Sequence, residues 1–141
     1  MGDKGLFVMI DDDTDDHEIF KMALSDLDKK LDCLFFPDCE SALLHFSNSP
    51  GVATPGVATP GVVAPGYVFI DLSLPRINGD QCLQELQKLK EFDDPCIVVY
   101  STSIPEEWHA KLEKIGVDKF IEKTSSVPTL VTQISHLIEA D

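Results

Sequence analysis

Two apolar stretches of this chain run into acids. Leu6-Phe7-Val8-Met9-Ile10 leads to Asp11-Asp12-Asp13, and Tyr67-Val68-Phe69-Ile70 leads to Asp71. Runs of that length suit strands buried on both faces of a parallel sheet. Open α/β sheets carry their chemistry outside the carboxyl ends of the strands. If the two strands are neighbours, their carboxylates converge, and a pair about 4 Å apart repels by roughly 4 kcal/mol at an effective dielectric near 20. Such a cluster calls for a divalent cation or for shifted protonation. Two later apolar runs also end in polar groups: Ser101 after Val98-Val99-Tyr100, and Lys123 just past Phe120-Ile121. Asp12 and Asp71 can share a Mg²⁺, and Asp71 can attack phosphorus as a carboxylate nucleophile. Ser101 can hydrogen-bond a phosphoryl oxygen, and Lys123 can supply compensating charge. These types suit phosphoryl transfer to a carboxylate.

The elements that must position them alternate. Residues 5–10 read as a strand, and from Thr14 the period becomes helical, with Ile19, Phe20, Ala23, Leu24 and Leu27 recurring. Cys33 to Phe36 reads as a second strand, and Ser41 to Phe46 as a short helix with Ala42, Leu43 and Phe46 inward. Strand 67–71 follows, then a helix after Gly79 with Leu83, Leu86 and Leu89 on one face, then strand Cys96 to Tyr100. Ser103-Ile104-Pro105-Glu106 has the form of a capping box. It would open a helix with Trp108, Leu112 and Ile115 inward, closed by Gly116. Lys119-Phe120-Ile121 is the fifth strand, and Leu130, Val131, Ile134, Leu137 and Ile138 mark a final helix. Five strands alternating with five helices predict an α/β fold with a parallel sheet and right-handed crossovers.

The whole chain of 141 residues fits one domain with a substantial core. A net charge of −14 argues against nucleic acid or an anionic membrane as direct partners. No apolar run is long enough to span a bilayer, and the start lacks the apolar core of a signal peptide. Cys33, Cys39, Cys82 and Cys96 show no CxxC spacing and are expected to be reduced, buried side chains. A soluble, cytoplasmic protein is the expectation. Pro50 to Thr54 repeats at Pro55 to Thr59 and imperfectly at Pro60 to Ala64, which predicts an expanded loop at about 50–66.

Val8-Met9-Ile10-Asp11-Asp12-Asp13, Phe69-Ile70-Asp71-Leu72-Ser73-Leu74-Pro75 with Gly79, Val98-Val99-Tyr100-Ser101 and Phe120-Ile121-Glu122-Lys123 together resemble the receiver domain of bacterial two-component response regulators. The likeness runs from Leu6 to the last helix, outside the repeat, and favours the stand-alone, single-domain type. The resemblance implies the flavodoxin-like (βα)5 arrangement, strand order 2-1-3-4-5, with helices on both faces. It implies that Asp71 accepts a phosphoryl group from a histidine kinase or histidine phosphotransfer protein. Asp12 would ligate Mg²⁺ (or Mn²⁺) directly, Asp11 would act through water, and Ser73 would lend its backbone carbonyl. Ser101 matches the switch hydroxyl, Phe120 the switch aromatic and Lys123 the site lysine. Phosphorylation would remodel the face of the fourth helix, fifth strand and fifth helix, for an unknown downstream protein or for a homodimer. The chain departs from the family in Thr124, where proline is usual, and in Thr102, where a smaller residue is common.

Other readings compete. Asp13, Asp15, Asp16 and Glu18 are expected to cap and charge the start of the first helix rather than bind metal. An EF-hand loop from Asp11 fails, because Asp16 stands at the turn glycine and Met22 at the bidentate Glu. His17, His45, His109 and His136 are expected at the surface or boundary. A Mg²⁺-dependent haloacid-dehalogenase-type phosphatase would want Thr or Val where Asp15 stands, and a degenerate docking module would lack site residues that are present here. The repeat precedes strand 67–71 and so emerges at the end of the sheet opposite Asp71. Deleting residues 51–65 is therefore expected to leave phosphorylation of Asp71 at its full rate, and a large loss in that assay would contradict the placement.

Overall fold

Alternation along each strand decides which helices cover which face of the sheet. The computed structural model describes residues 6–27, 31–47, 65–89, 92 and 95–139. The elements run β1 (Leu6–Ile10), α1 (Thr14–Ser25), β2 (Asp32–Phe36), α2 (Cys39–Ser47), β3 (Tyr67–Ile70), α3 (Gly79–Leu86), β4 (Cys96–Ser101), α4 (Glu107–Lys114), β5 (Lys119–Glu122) and α5 (Val127–Glu139). All strand pairs are parallel and the order is β2-β1-β3-β4-β5, as the resemblance implies.

Successive strand residues point to opposite faces. Val8, Ile10, Val68, Ile70, Ile97 and Val99 face Cys39, Ala42, Phe46, Leu83, Leu86 and Leu112 of α2, α3 and α4. Phe7, Met9, Tyr67, Phe69, Val98 and Tyr100 face Phe20, Leu24, Leu130, Ile134 and Leu137 of α1 and α5. The central strands β1 and β3 are covered on both sides, which is why they read as unbroken apolar runs. The register aligns Ile10 with Ile70, and Ile70 with Val99, so the chain leaves β1, β3 and β4 along one edge.

Helix ends depart from the sequence reading in two places. α2 starts two residues earlier than expected, because the Asp38 side chain accepts from Ser41 N–H at 2.8 Å and caps it. The capping box at Ser103 does not form: α4 begins at Glu107, and its N-cap Glu106 makes no side-chain cap bond. Pro105 biases Ile104 away from the helical region, and the first turn instead closes with Trp108 N–H on the Pro105 carbonyl at 3.0 Å. Gly116 ends α4 as expected, at φ +105, a conformation that glycine alone adopts at no steric cost. The repeat at 50–64 lies outside the described residues. Gly66, just beyond it, is tied to the start of the sheet through the Leu6 carbonyl at 2.9 Å.

The cysteine expectation needs correction. Cys39 and Cys82 are joined by a disulfide, Cα–Cα 5.7 Å, both fully buried, linking α2 to α3. Their helices pack face to face, so two small thiols that look like core residues in sequence meet in space. Cys33 and Cys96 are half-buried strand residues, and burial pushes the Cys33 thiol up. A reducing compartment can no longer be argued from cysteine spacing. Closing a loop across a sequence separation of 43 is worth about 4 kcal/mol in the chain-entropy account. A reductant is therefore expected to lower the urea midpoint of the wild-type protein and to leave that of Cys82→Ala unchanged; a wild-type midpoint indifferent to reductant would mean that the bond contributes nothing.

Candidate functional site

The register of the sheet brings the polar strand ends together. Asp71 is buried, and its Oδ1 accepts from Ser101 Oγ at 2.9 Å and from Ser73 N–H at 3.1 Å. Its Oδ2 accepts from Lys123 Nζ at 2.8 Å. The backbone is held as firmly: Asp71 N–H donates to the Ile10 carbonyl at 3.0 Å, and Lys123 N–H to that of Ser101 at 2.9 Å. A Cβ on Gly79 would overlap the Asp71 carbonyl oxygen, so only glycine lets α3 start this close to the acid.

Lys123 sits among three carboxylates, with Nζ 2.8 Å from Asp11 Oδ2, 2.6 Å from Asp16 Oδ2 and 2.8 Å from Asp71 Oδ2. Burial works against its charge, but close contact with the carboxylates of Asp11, Asp16 and Asp71 outweighs it and raises its pKa. Asp11 behaves in the opposite sense. Burial pushes its carboxyl up to about 6, against the pull of Lys123 and of the Asp13 N–H that bonds Oδ1 at 2.9 Å.

Asp11, Asp12 and Asp71 each bring a carboxylate oxygen within 4.8 Å of the others, with Asp12 exposed and the other two buried. Asp11 Oδ2 is buried and meets Lys123 without a well-directed hydrogen bond, which leaves electron density available for a cation. An all-oxygen set of three carboxylates open to water on the Asp12 side fits a hard divalent ion. Ser73, expected to contribute its carbonyl, lies exposed in the loop after Asp71. Phe120 is half-buried and stacks on His109 of α4, ring centroids 4.2 Å apart and planes 5° from parallel.

Sequence reasoning missed or misplaced several neighbours. Asp16 was expected only to charge the helix start, yet it reaches Lys123; Asp13 does cap α1, accepting from Asp15 N–H at 2.9 Å. His17 was expected at the boundary, but it is buried against Phe35 and its Nε2 donates to the Asp11 carbonyl at 2.6 Å. A helical count from the N-cap Asp13 would have flagged positions 16 and 17 as one turn on, beneath the end of β1. Arg76, in the loop after Asp71, has φ 66 and binds Glu40 at 2.8 Å and Asp38 at 3.1 Å. No local pattern announces that clasp, whose partners lie at least 36 residues away.

A doubly wound parallel sheet with acids, a hydroxyl and a lysine on the carboxyl ends of its strands defines a class of α/β proteins that place their sites at that edge. The chain belongs within it to the response regulator receiver domain family, whose pattern it matches over residues 7–135. The phosphorylated cyanobacterial phytochrome response regulator RcpA superimposes with a TM-score of 0.70 at 20% identity, over 97% of this chain and 92% of that one. The Vibrio cholerae chemotaxis protein CheY4 gives 0.73 at 13%, over 95% and 98%. The Mn²⁺-bound response regulator Rcp1 gives 0.70 at 16%, over 94% and 91%. A hybrid signal transduction histidine kinase D of Dictyostelium discoideum is 27% identical over 71 residues, half of this chain and 5% of that much longer protein. Among the described residues no helix is long and apolar enough to cross a membrane.

The raised pKa of Asp11 has a consequence for stability. Between the ordinary value of 3.8 and about 6 the folded chain holds a proton that the unfolded chain has released. The stability so contributed is complete at the acid end of that window and is lost as pH rises through about 6. Asp11→Asn, which removes the buried charge, is expected to stabilise the metal-free protein at pH 8 by on the order of 1 kcal/mol, or several degrees in Tm, and much less near pH 4. Thermal melts at the two pH values check it, and a loss of stability at pH 8 would mean that pairing with Lys123 outweighs burial.

Proposed function

We propose that this protein is a phosphoacceptor response regulator of a two-component phosphorelay, with Asp71 as the acceptor. The observation that carries the reading is the pair of contacts on Asp71, Ser101 on one oxygen and Lys123 on the other, beside two further acids. An Asp71 oxygen attacks phosphorus, the P–N bond of a phosphohistidine breaks, and the imidazole leaves with the bonding pair as an acyl phosphate forms. Asp12 and Asp71, with Ser73 through its carbonyl and Asp11 through water, would hold Mg²⁺ or Mn²⁺, which offsets charge on the phosphoryl oxygens when bound. Ser101 O–H and the Lys123 ammonium then turn from the carboxylate to the new phosphoryl oxygens. The protein is a signalling module in this reading, cytoplasmic, served by a histidine kinase or phosphotransfer protein.

The added charge of about −1.5 to −2 biases a two-state element. Ser101 moves with the phosphoryl group, and Phe120 gives up its stack on His109 and turns inward, changing the α4-β5-α5 face for a downstream protein. Shifting that equilibrium from 1:99 to 99:1 takes roughly 5.5 kcal/mol of differential interaction.

Incubation with Mg²⁺ and acetyl phosphate is expected to add one phosphoryl mass and to change Trp108 fluorescence, and Asp71→Asn is expected to abolish both. Multiple turnover on phosphomonoesters would point instead to a phosphatase, and an unmodified wild-type protein to a docking module without phosphorylation.

A further inference from the structure

We propose that Asp16 is a positioning residue that keeps Lys123 in the site when a cation and a phosphoryl group engage the other carboxylates. This inference rests on the receiver reading. The lysine ammonium has three N–H donors, and it meets three carboxylates: Asp16 at 2.6 Å, and Asp11 and Asp71 at 2.8 Å each. Asp11 and Asp71 belong to the set that converges as a cation site, and Asp16 does not. A divalent ion entering that set draws on the same two carboxylates and repels the ammonium. Transfer to Asp71 then covers the oxygen that Lys123 addresses. Among its three carboxylate partners, Asp16 alone is neither drawn on by the cation nor modified by the transfer.

The surroundings suit an anchor. The Asp16 side chain is 13% exposed and that of Lys123 9%, so little water competes for the contact. The start of α1 is pinned at both sides of Asp16. Asp16 N–H donates to the Asp13 carbonyl at 3.1 Å, and the buried His17 binds the Asp11 carbonyl. The carboxylate therefore projects from a backbone fixed relative to the end of β1. In the phosphorylated protein Lys123 keeps its bond to Asp16 and passes the N–H that faced Asp71 to a phosphoryl oxygen.

The test compares wild type, Asp16→Ala, Asp16→Asn, Lys123→Ala and the Asp16→Ala/Lys123→Ala double variant. The measurements are the phosphorylation rate at saturating Mg²⁺ and acetyl phosphate, and Mg²⁺ affinity from Trp108 fluorescence. Asp16→Ala is expected to slow the maximal rate about 10- to 100-fold, the range found for groups that orient a site residue. Asp16→Asn, which keeps an acceptor oxygen, recovers part of that loss. Mg²⁺ affinity stays within about threefold of wild type in both, unlike the larger loss expected of a ligand. The double variant is no slower than Lys123→Ala alone, because Asp16 acts through the lysine. An unchanged rate in Asp16→Ala, a parallel loss of Mg²⁺ affinity, or a loss that adds to that of Lys123→Ala would each overturn the proposal. If Asp16→Ala melts too low to assay, Asp16→Asn is compared with wild type alone and in the Lys123→Ala background by the same criteria. A wild-type protein that takes no phosphoryl group overturns the receiver reading and this inference together. A modified wild type matched by its Asp16 variants overturns this inference alone.

Discussion

The ammonium of Lys123, enclosed by Asp11, Asp16 and Asp71, is the interaction on which the arrangement at the carboxyl edge depends. Three buried or half-buried acids within reach of one cation leave the cluster short of positive charge. At the spacing of hydrogen-bonded groups, each uncompensated carboxylate pair costs several kcal/mol at an intermediate dielectric. The cluster has two ways to lower that cost: it can hold a proton, as the raised pKa of Asp11 indicates, or it can bind a divalent ion. A site built this way is poised to respond to a cation, because its resting state is electrostatically unfinished.

The sheet makes this possible without burying a loop. Parallel pairing in register brings the ends of β1, β3 and β4 to one edge, and β5 delivers Lys123 one residue past its own end. Apolar side chains on both faces fix the register, since a slip of one residue would turn every inward side chain of a strand to the wrong layer. The closeness of α3 to Asp71, which Gly79 permits, extends the same logic from the strand to the following helix.

Much of this was legible in the residues. Asp11, Asp71, Ser101 and Lys123 stand where apolar runs stop, and a strand end is a position that local pattern marks. The order of the strands came through the family resemblance, not from periodicity. What escaped was tertiary. Asp16 reads as an ordinary acid on a helix start, because its lysine is more than a hundred residues away along the chain. Cys39 and Cys82 look like small core residues until α2 and α3 pack together. The expected capping box at Ser103 failed because Pro105 acted locally against it, a case where one backbone constraint overrides a motif. His17 was misplaced for want of knowing that Phe35 of the edge strand covers it.

The disulfide also changes what counts as one piece of this molecule. A covalent ring runs from Cys39 through the rest of α2, across the repeat, along β3 and Asp71, and back through Cys82. Cutting any one peptide bond between residues 40 and 81 opens that ring without dividing the protein. The segment bearing β1 and β2 and the segment bearing β4 and β5 remain one molecule, heavier by a single water. Two new chain ends would then exist inside the connection that carries Asp71, with the halves of the sheet still bonded to each other.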